Sequence, residues 1–295
     1  MLFFLFIFIR IFKMNDVEGN KISKNIAIIS SILIPISFVI YIDLVKKRIK
    51  SKLLKNNNKK ENYEFNNSLY REHELKSFLP FSLIYLISII LLFIFIGPYI
   101  KFNIYEIYFS QEYNKPITEK IIKTILIQII NLILYTGLLI QFISGIEYIY
   151  RKSYFSFFME NIYAPFLEEF IYRGILFTLL KQSGFNGCQS SIFSSLTFSL
   201  SHFRHIFDVY FDKNNIKRLY FQSFYTLFFG FYASYAYNFS GTLFSPIILH
   251  GVCNTLQMPR FNYLNYDISK KFKNVISLGY IFGIAGWIIL IIIFH

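Results

Sequence analysis

The chain has 295 residues, of which 55% are apolar types and only 16% charged, and its mean hydropathy is +0.45. Soluble domains carry roughly a quarter charged residues, so this composition excludes a soluble globular enzyme and points to an all-α, polytopic helical bundle in a membrane. Its 30 Lys and Arg against 17 Asp and Glu leave a net charge of +13, which in such a chain marks cytoplasmic loops rather than nucleic-acid binding; two cysteines make neither a disulfide framework nor a four-cysteine zinc site.

Residues 1–26 form an amino-terminal segment set apart from the rest. Its opening run, MLFFLFIFIRIF, is apolar but too short to span, and it lacks the basic start and small-residue cleavage site of a signal peptide. From 27 to 295 the chain reads as a single intramembrane domain. A span needs about 20 mostly apolar residues, and about eight stretches qualify: 27–45, 78–100, 121–143, 162–180, 189–207, 221–237, 242–257 and 275–294. Between the first two lies a basic, Asn-rich stretch at 46–77, KKRIKSKLLKNNNKKENYEFNN at its core, expected to be a flexible cytoplasmic loop beside anionic headgroups. Counting spans from it places the basic loops near Arg151, Lys217 and Lys271 on the same side, in agreement with the positive-inside rule. Both chain ends are then expected on the lumenal side.

Ionisable groups within spans are costly unless paired or wetted, so each points to function. The fourth stretch contains Ala164-Pro165-Phe166-Leu167-Glu168-Glu169-Phe170-Ile171-Tyr172-Arg173. Glu169 and Arg173 are four residues apart and share a helix face. Glu168 is turned about 100° away, which leaves its carboxylate for general-base work. The fifth stretch ends in Phe198-Ser199-Leu200-Ser201-His202, where Phe198 can wall the His202 ring. In the seventh, His250-Gly251-Val252-Cys253-Asn254 sets His250 and Asn254 on one face, with Cys253 turned elsewhere as a packing residue. At about 1.5 Å per residue, Glu168, His202, His250 and Asn254 lie between about 5 and about 10 Å from the cytoplasmic ends of their helices, in one layer. A carboxylate, two imidazoles and an amide can add water to a carbonyl: base and imidazole activate the water, while donors hold the oxyanion. Two His and a Glu could also bind zinc, although HExxH is absent: His73-Glu74 is followed by Leu75-Lys76-Ser77.

In order and spacing, EEFIYR (168–173), FSLSH (198–202) and HGVCN (250–254) resemble the EExxxR, FxxxH and HxxxN/D motifs of the CAAX protease and bacteriocin-processing family. The resemblance is to its eukaryotic branch, the Ras-converting CAAX endopeptidases, as Ala164-Pro165 before the first motif and Met258-Pro259 after the third also suggest. It implies a glutamate-dependent endopeptidase of the endoplasmic reticulum membrane, multi-pass, with its site open to the cytoplasmic side. Such enzymes remove the last three residues of CAAX proteins bearing a farnesyl or geranylgeranyl group. Carried over by motif position, Glu168 activates water with His202, His250 and Asn254 form the oxyanion site, and Glu169 and Arg173 orient the cluster. The resemblance implies no metal and no other cofactor; its partners are prenylated C-termini and membrane lipid, with no nucleic acid. Two positions depart from the pattern: Arg204 stands where a His is expected, and Tyr172 where Phe is usual. A non-catalytic or different-substrate member of the same superfamily is the alternative reading, since Gly174 also matches prokaryotic relatives. A proton-coupled transporter would show repeat symmetry, of which the sequence has no sign.

Overall fold

The computed structural model describes residues 24–56, 67–100, 105–109, 115–147, 153–202, 213–257 and 261–294. Every element among them is helical. Helices α1 (Lys24–Asn56) and α2 (Asn67–Ile100) are followed by the short α3 (Tyr105–Phe109), then α4 (Ile117–Leu134) and α5 (Thr136–Ile143). Helix α6 runs over 154–182 and is described with the site. After it come α7 (Gly187–His202), α8 (Lys213–Ser240), α9 (Phe244–Leu256) and α10 (Lys270–Phe294).

The outer helices are apolar on every face, as a lipid environment demands. On α1, Ala27, Ile34, Phe38 and Ile42 are buried, while Ile29, Ile32, Ile36 and Ile40 on the opposite face are exposed. Among the described residues three helices are long and apolar enough to cross a membrane, over Ala27–Val45, Glu74–Leu91 and Lys270–Phe294, and a fourth if α4 and α5 count as one broken span. Helices α6 to α9 bury their polar groups or are short: α9 has 13 residues, about 20 Å at 1.5 Å per residue, less than the roughly 30 Å hydrocarbon core.

Two expectations need correction. The basic stretch at 46–77 is not a loop throughout, because α1 continues to Asn56 and α2 begins at Asn67. Lys, Arg and Leu are good helix formers, and Glu72 pairs with Lys76 one turn on at 2.7 Å; residues 57–66 lie outside the description, as do 1–23. The stretch at 121–143 is not one straight helix either: it bends by 70° at Tyr135. Gly137 and the Thr136 hydroxyl, which donates to Ile133 O at 2.6 Å, weaken the helix there. Helix α10 fills the bend. A Cβ on Gly283 would meet the carbonyl oxygens of Ile133 at 2.7 Å and Leu134 at 3.0 Å.

The core is α6, whose residues 170–180 are all buried. Helix α7 packs on α8 through small residues, a device that suits helix association in lipid. A Cβ on Gly230 would lie 2.9 Å from that of Ser195, and the Ser199 hydroxyl donates to Ser223 O at 2.7 Å. At the other end of α6, Tyr237 donates to the carbonyl of Glu106 at 2.7 Å and docks α3, where the Ile107 side chain fills the space that a Cβ on Gly174 would need. The chain turns from α8 into α9 through Gly241 at φ 68°, a conformation glycine adopts freely.

A Cβ on Gly137 would sit 2.4 Å from the Tyr280 ring, which is held by a hydrogen bond from Gln141 at 2.7 Å. Gly137→Ala should therefore lose about 1–3 kcal/mol by overpacking. Thermal unfolding in detergent checks this beside Gly187→Ala, where the nearest atom is the end of Lys181 at 3.9 Å. Equal midpoints for the two variants would contradict the packing of α5 on α10.

Candidate active site

Helix α6 changes pitch twice. A turn of α-helix, Ala164–Glu169, lies between two π-helical segments, Met159–Tyr163 and Phe170–Phe177, and π-segments inside helices recur at functional sites. Pro165 lies at this junction. It has no N–H to donate one turn back, toward Glu160 and Asn161. Helix α9 occupies that face: Asn254 Nδ2 donates to Glu160 O at 2.9 Å, Thr255 donates to Asn161 Oδ1 at 3.2 Å, and the carbonyl oxygen of Asn161 approaches Gly251 so closely that a Cβ there would be 2.3 Å away. The Ala-Pro step and the HGVCN run thus meet as two halves of one joint.

Glu169 and Arg173 form a buried ion pair, each with 0% side-chain exposure. Arg173 Nη1 lies 3.1 Å from Oε1 and 3.0 Å from Oε2. Nη2 donates to Gly230 O on α8 at 3.1 Å, and the guanidinium carbon stands 4.7 Å over the Phe198 ring on α7. The same Glu169 Oε1 is 2.7 Å from His250 Nδ1 on α9. A carboxylate can only accept, so Nδ1 carries hydrogen and Nε2 faces the other way. Nε2 lies 3.9 Å from Oε2 of Glu168, whose side chain is 24% exposed. His202 Nδ1 is 2.9 Å from the Phe198 carbonyl, which fixes its tautomer by the same argument. Phe198 stands edge-on to the His202 ring at 4.7 Å, and Phe229 covers His250 at 4.7 Å.

His202, His250 and Asn254 line one cavity of about 420 Å³ between α7, α8 and α9. Glu168 borders a second cavity, of about 130 Å³, between α1, α2 and α6. All four residues singled out in the sequence, and the supporting Glu169 and Arg173, therefore converge on one region from three helices. Cys253 corrects one detail: it is buried, with its thiol 3.9 Å from Asn131 Oδ1, yet it also borders the larger cavity. The α8 wall of that cavity, Gln222, Tyr225, Thr226 and Phe229, escaped the motif reading. Its only sequence signal is spacing of three and four along one helix face, with no charged group to mark it. Among the described residues no group of three or more His, Cys, Asp or Glu is placed to hold a metal ion. Arg204, His205, Met258 and Pro259 lie outside the described residues.

Residues 150–256 match a family model, described as Rce1-like: Type II CAAX prenyl endopeptidase Rce1-like. The resemblance is to that family. The matched stretch contains all three motifs. The chain is 30% identical to "CAAX prenyl protease 2" of Arabidopsis thaliana over 137 residues, 44% of this chain and 41% of that protein. It is 24% identical to "CAAX prenyl protease 2" of Homo sapiens over 138 residues, 45% of this chain and 40% of that protein. The match thus spans about two fifths of each relative's length. No solved structure matches the chain.

Removing one partner of a buried ion pair strands the other and costs about 3–5 kcal/mol, whereas replacing both is far milder. Arg173→Met should lose roughly that amount in unfolding measurements, and the double variant Glu169→Gln/Arg173→Met should recover most of it. Equal destabilisation in the two would mean that the pair is not the source of the effect.

Proposed function

We propose that this membrane protein is a glutamate-dependent endopeptidase that removes the last three residues from prenylated CAAX proteins. The observation that carries the reading is the meeting of Glu168, His202, His250 and Asn254 around adjoining cavities, within a stretch that matches the type II CAAX prenyl endopeptidases. We also infer that it works in the endoplasmic reticulum membrane with the site open to the cytoplasm, as the basic stretches on that side suggest.

In this mechanism Glu168 takes a proton from water, and the hydroxide adds to the scissile carbonyl held in the larger cavity. His202 assists from the wall of the larger cavity, its ring oriented by the Nδ1 contact to the Phe198 carbonyl. His250 and the second hydrogen of the Asn254 amide hold the developing oxyanion. His250 donates there only as the doubly protonated ring, with Nδ1 on Glu169 at 2.7 Å and Nε2 3.9 Å from Glu168. Collapse of the intermediate returns the proton from Glu168 to the leaving amine, so the step needs no outside acid. The prenyl group keeps the substrate in the membrane, at about 0.8 kcal/mol per buried CH₂.

The test is cleavage of a farnesylated CAAX peptide by the purified chain in detergent. Wild type should cleave with and without a chelator, and folded Glu168→Gln should lose about 10²–10⁴-fold in kcat, the usual worth of a general base. Activity lost on chelation would replace activated water on Glu168 with a metal site. Absence of cleavage by folded wild type would favour a non-catalytic member of the superfamily.

A further inference from the structure

The two cavities share no lining residue and no helix. The larger is walled by α7, α8 and the α9 region, and the smaller by α1, α2 and α6. Glu168 belongs to the wall of the smaller one, while the groups that would hold the scissile carbonyl, His202, His250 and Asn254, belong to the larger. A peptide seated on those three would fill the larger cavity and displace its water. The hydrolytic water must still reach the carboxylate.

The smaller cavity suits that task. A buried water needs room for about one probe sphere, some 10–15 Å³, and two to four polar partners. The cavity offers about 130 Å³, and its walls include Glu74, Glu160 and Glu168 with the Tyr163 hydroxyl, itself bonded to Ser82 at 3.0 Å. Glu74 stands at the start of the apolar stretch Glu74–Leu91 of α2 and is half-buried. Phe38, Leu75 and Leu167 close the rest. Of the His73-Glu74 pair, which lacks the second His of a zinc motif, Glu74 thereby places one carboxylate on the wall of this cavity.

We propose that the cavity between α1, α2 and α6 is a water passage that delivers the hydrolytic water to Glu168 from the side not occupied by substrate. The proposal rests on the peptidase reading for its chemistry, but the presence of water can be tested without activity.

Met159 lines the passage although it is only 2% exposed, and a thioether beside water is readily oxidised to the sulfoxide. Hydroxyl-radical labelling by brief X-ray exposure of the intact protein in detergent should oxidise Met159 fast for so buried a residue. Ala164→Leu, which fills the passage from α6, should protect it, and Leu75→Phe, filling from α2, should do the same if the first variant misfolds. With saturating farnesylated peptide, either folded variant should lose roughly tenfold in kcat at unchanged KM, the pattern of a defect after binding. Slow oxidation of Met159 in wild type would overturn the passage, and unchanged kcat in a filled, protected variant would overturn its role in delivering water. A raised KM at unchanged kcat would assign the cavity to substrate instead. If wild type cleaves nothing, the peptidase reading fails, while Met159 labelling still decides whether water occupies the passage.

Discussion

The buried Glu169–Arg173 pair is the interaction on which the site depends. Both side chains belong to α6, yet three other helices hold them: Arg173 meets the Gly230 carbonyl on α8 and the Phe198 ring on α7, and Glu169 meets His250 on α9. A charge in a low-dielectric interior tolerates little misplacement, because its desolvation is recovered only through good geometry. The pair therefore sets the relative positions of four helices. The imidazole that faces the cavity hangs from the same carboxylate.

A second constraint acts through the backbone. Pro165 deprives one turn of α6 of a donor, and the π-segments on either side shift the phase of the helix. Glu168 and Glu169 occupy the α-turn between those shifts, so one carboxylate turns into the core and the other toward the smaller cavity. Gly251 and Asn254 then dock α9 against Glu160 and Asn161. Asn254 thus spends one amide hydrogen on docking, while its side chain also lines the larger cavity.

Much of this was legible along individual helices. Spacing of four residues put Glu169 beside Arg173, His250 above Asn254, and Phe198 against His202, because a 3.6-residue period leaves little freedom. The apolar α1, α2 and α10 were equally plain. The bend at Tyr135 was not, since Thr136 and Gly137 weaken a helix without obliging it to break, and the break is held by Gly283 and Tyr280 from far along the chain. The helical ends of the basic stretch at 46–77 were also missed, because a polar run outside the hydrocarbon layer has no hydropathy signal.

By itself the sequence determined the membrane class, the main apolar helices and the identity of the polar residues within them, since composition and local period are set by neighbours in the chain. Only the tertiary structure decided that His250 bonds to Glu169 rather than Glu168, that Arg173 reaches Gly230, and that Glu168 borders a cavity apart from the one lined by His202 and Asn254. These relations join residues 57 and 81 positions apart. Their distances depend on how every intervening helix packs, and no local period encodes that.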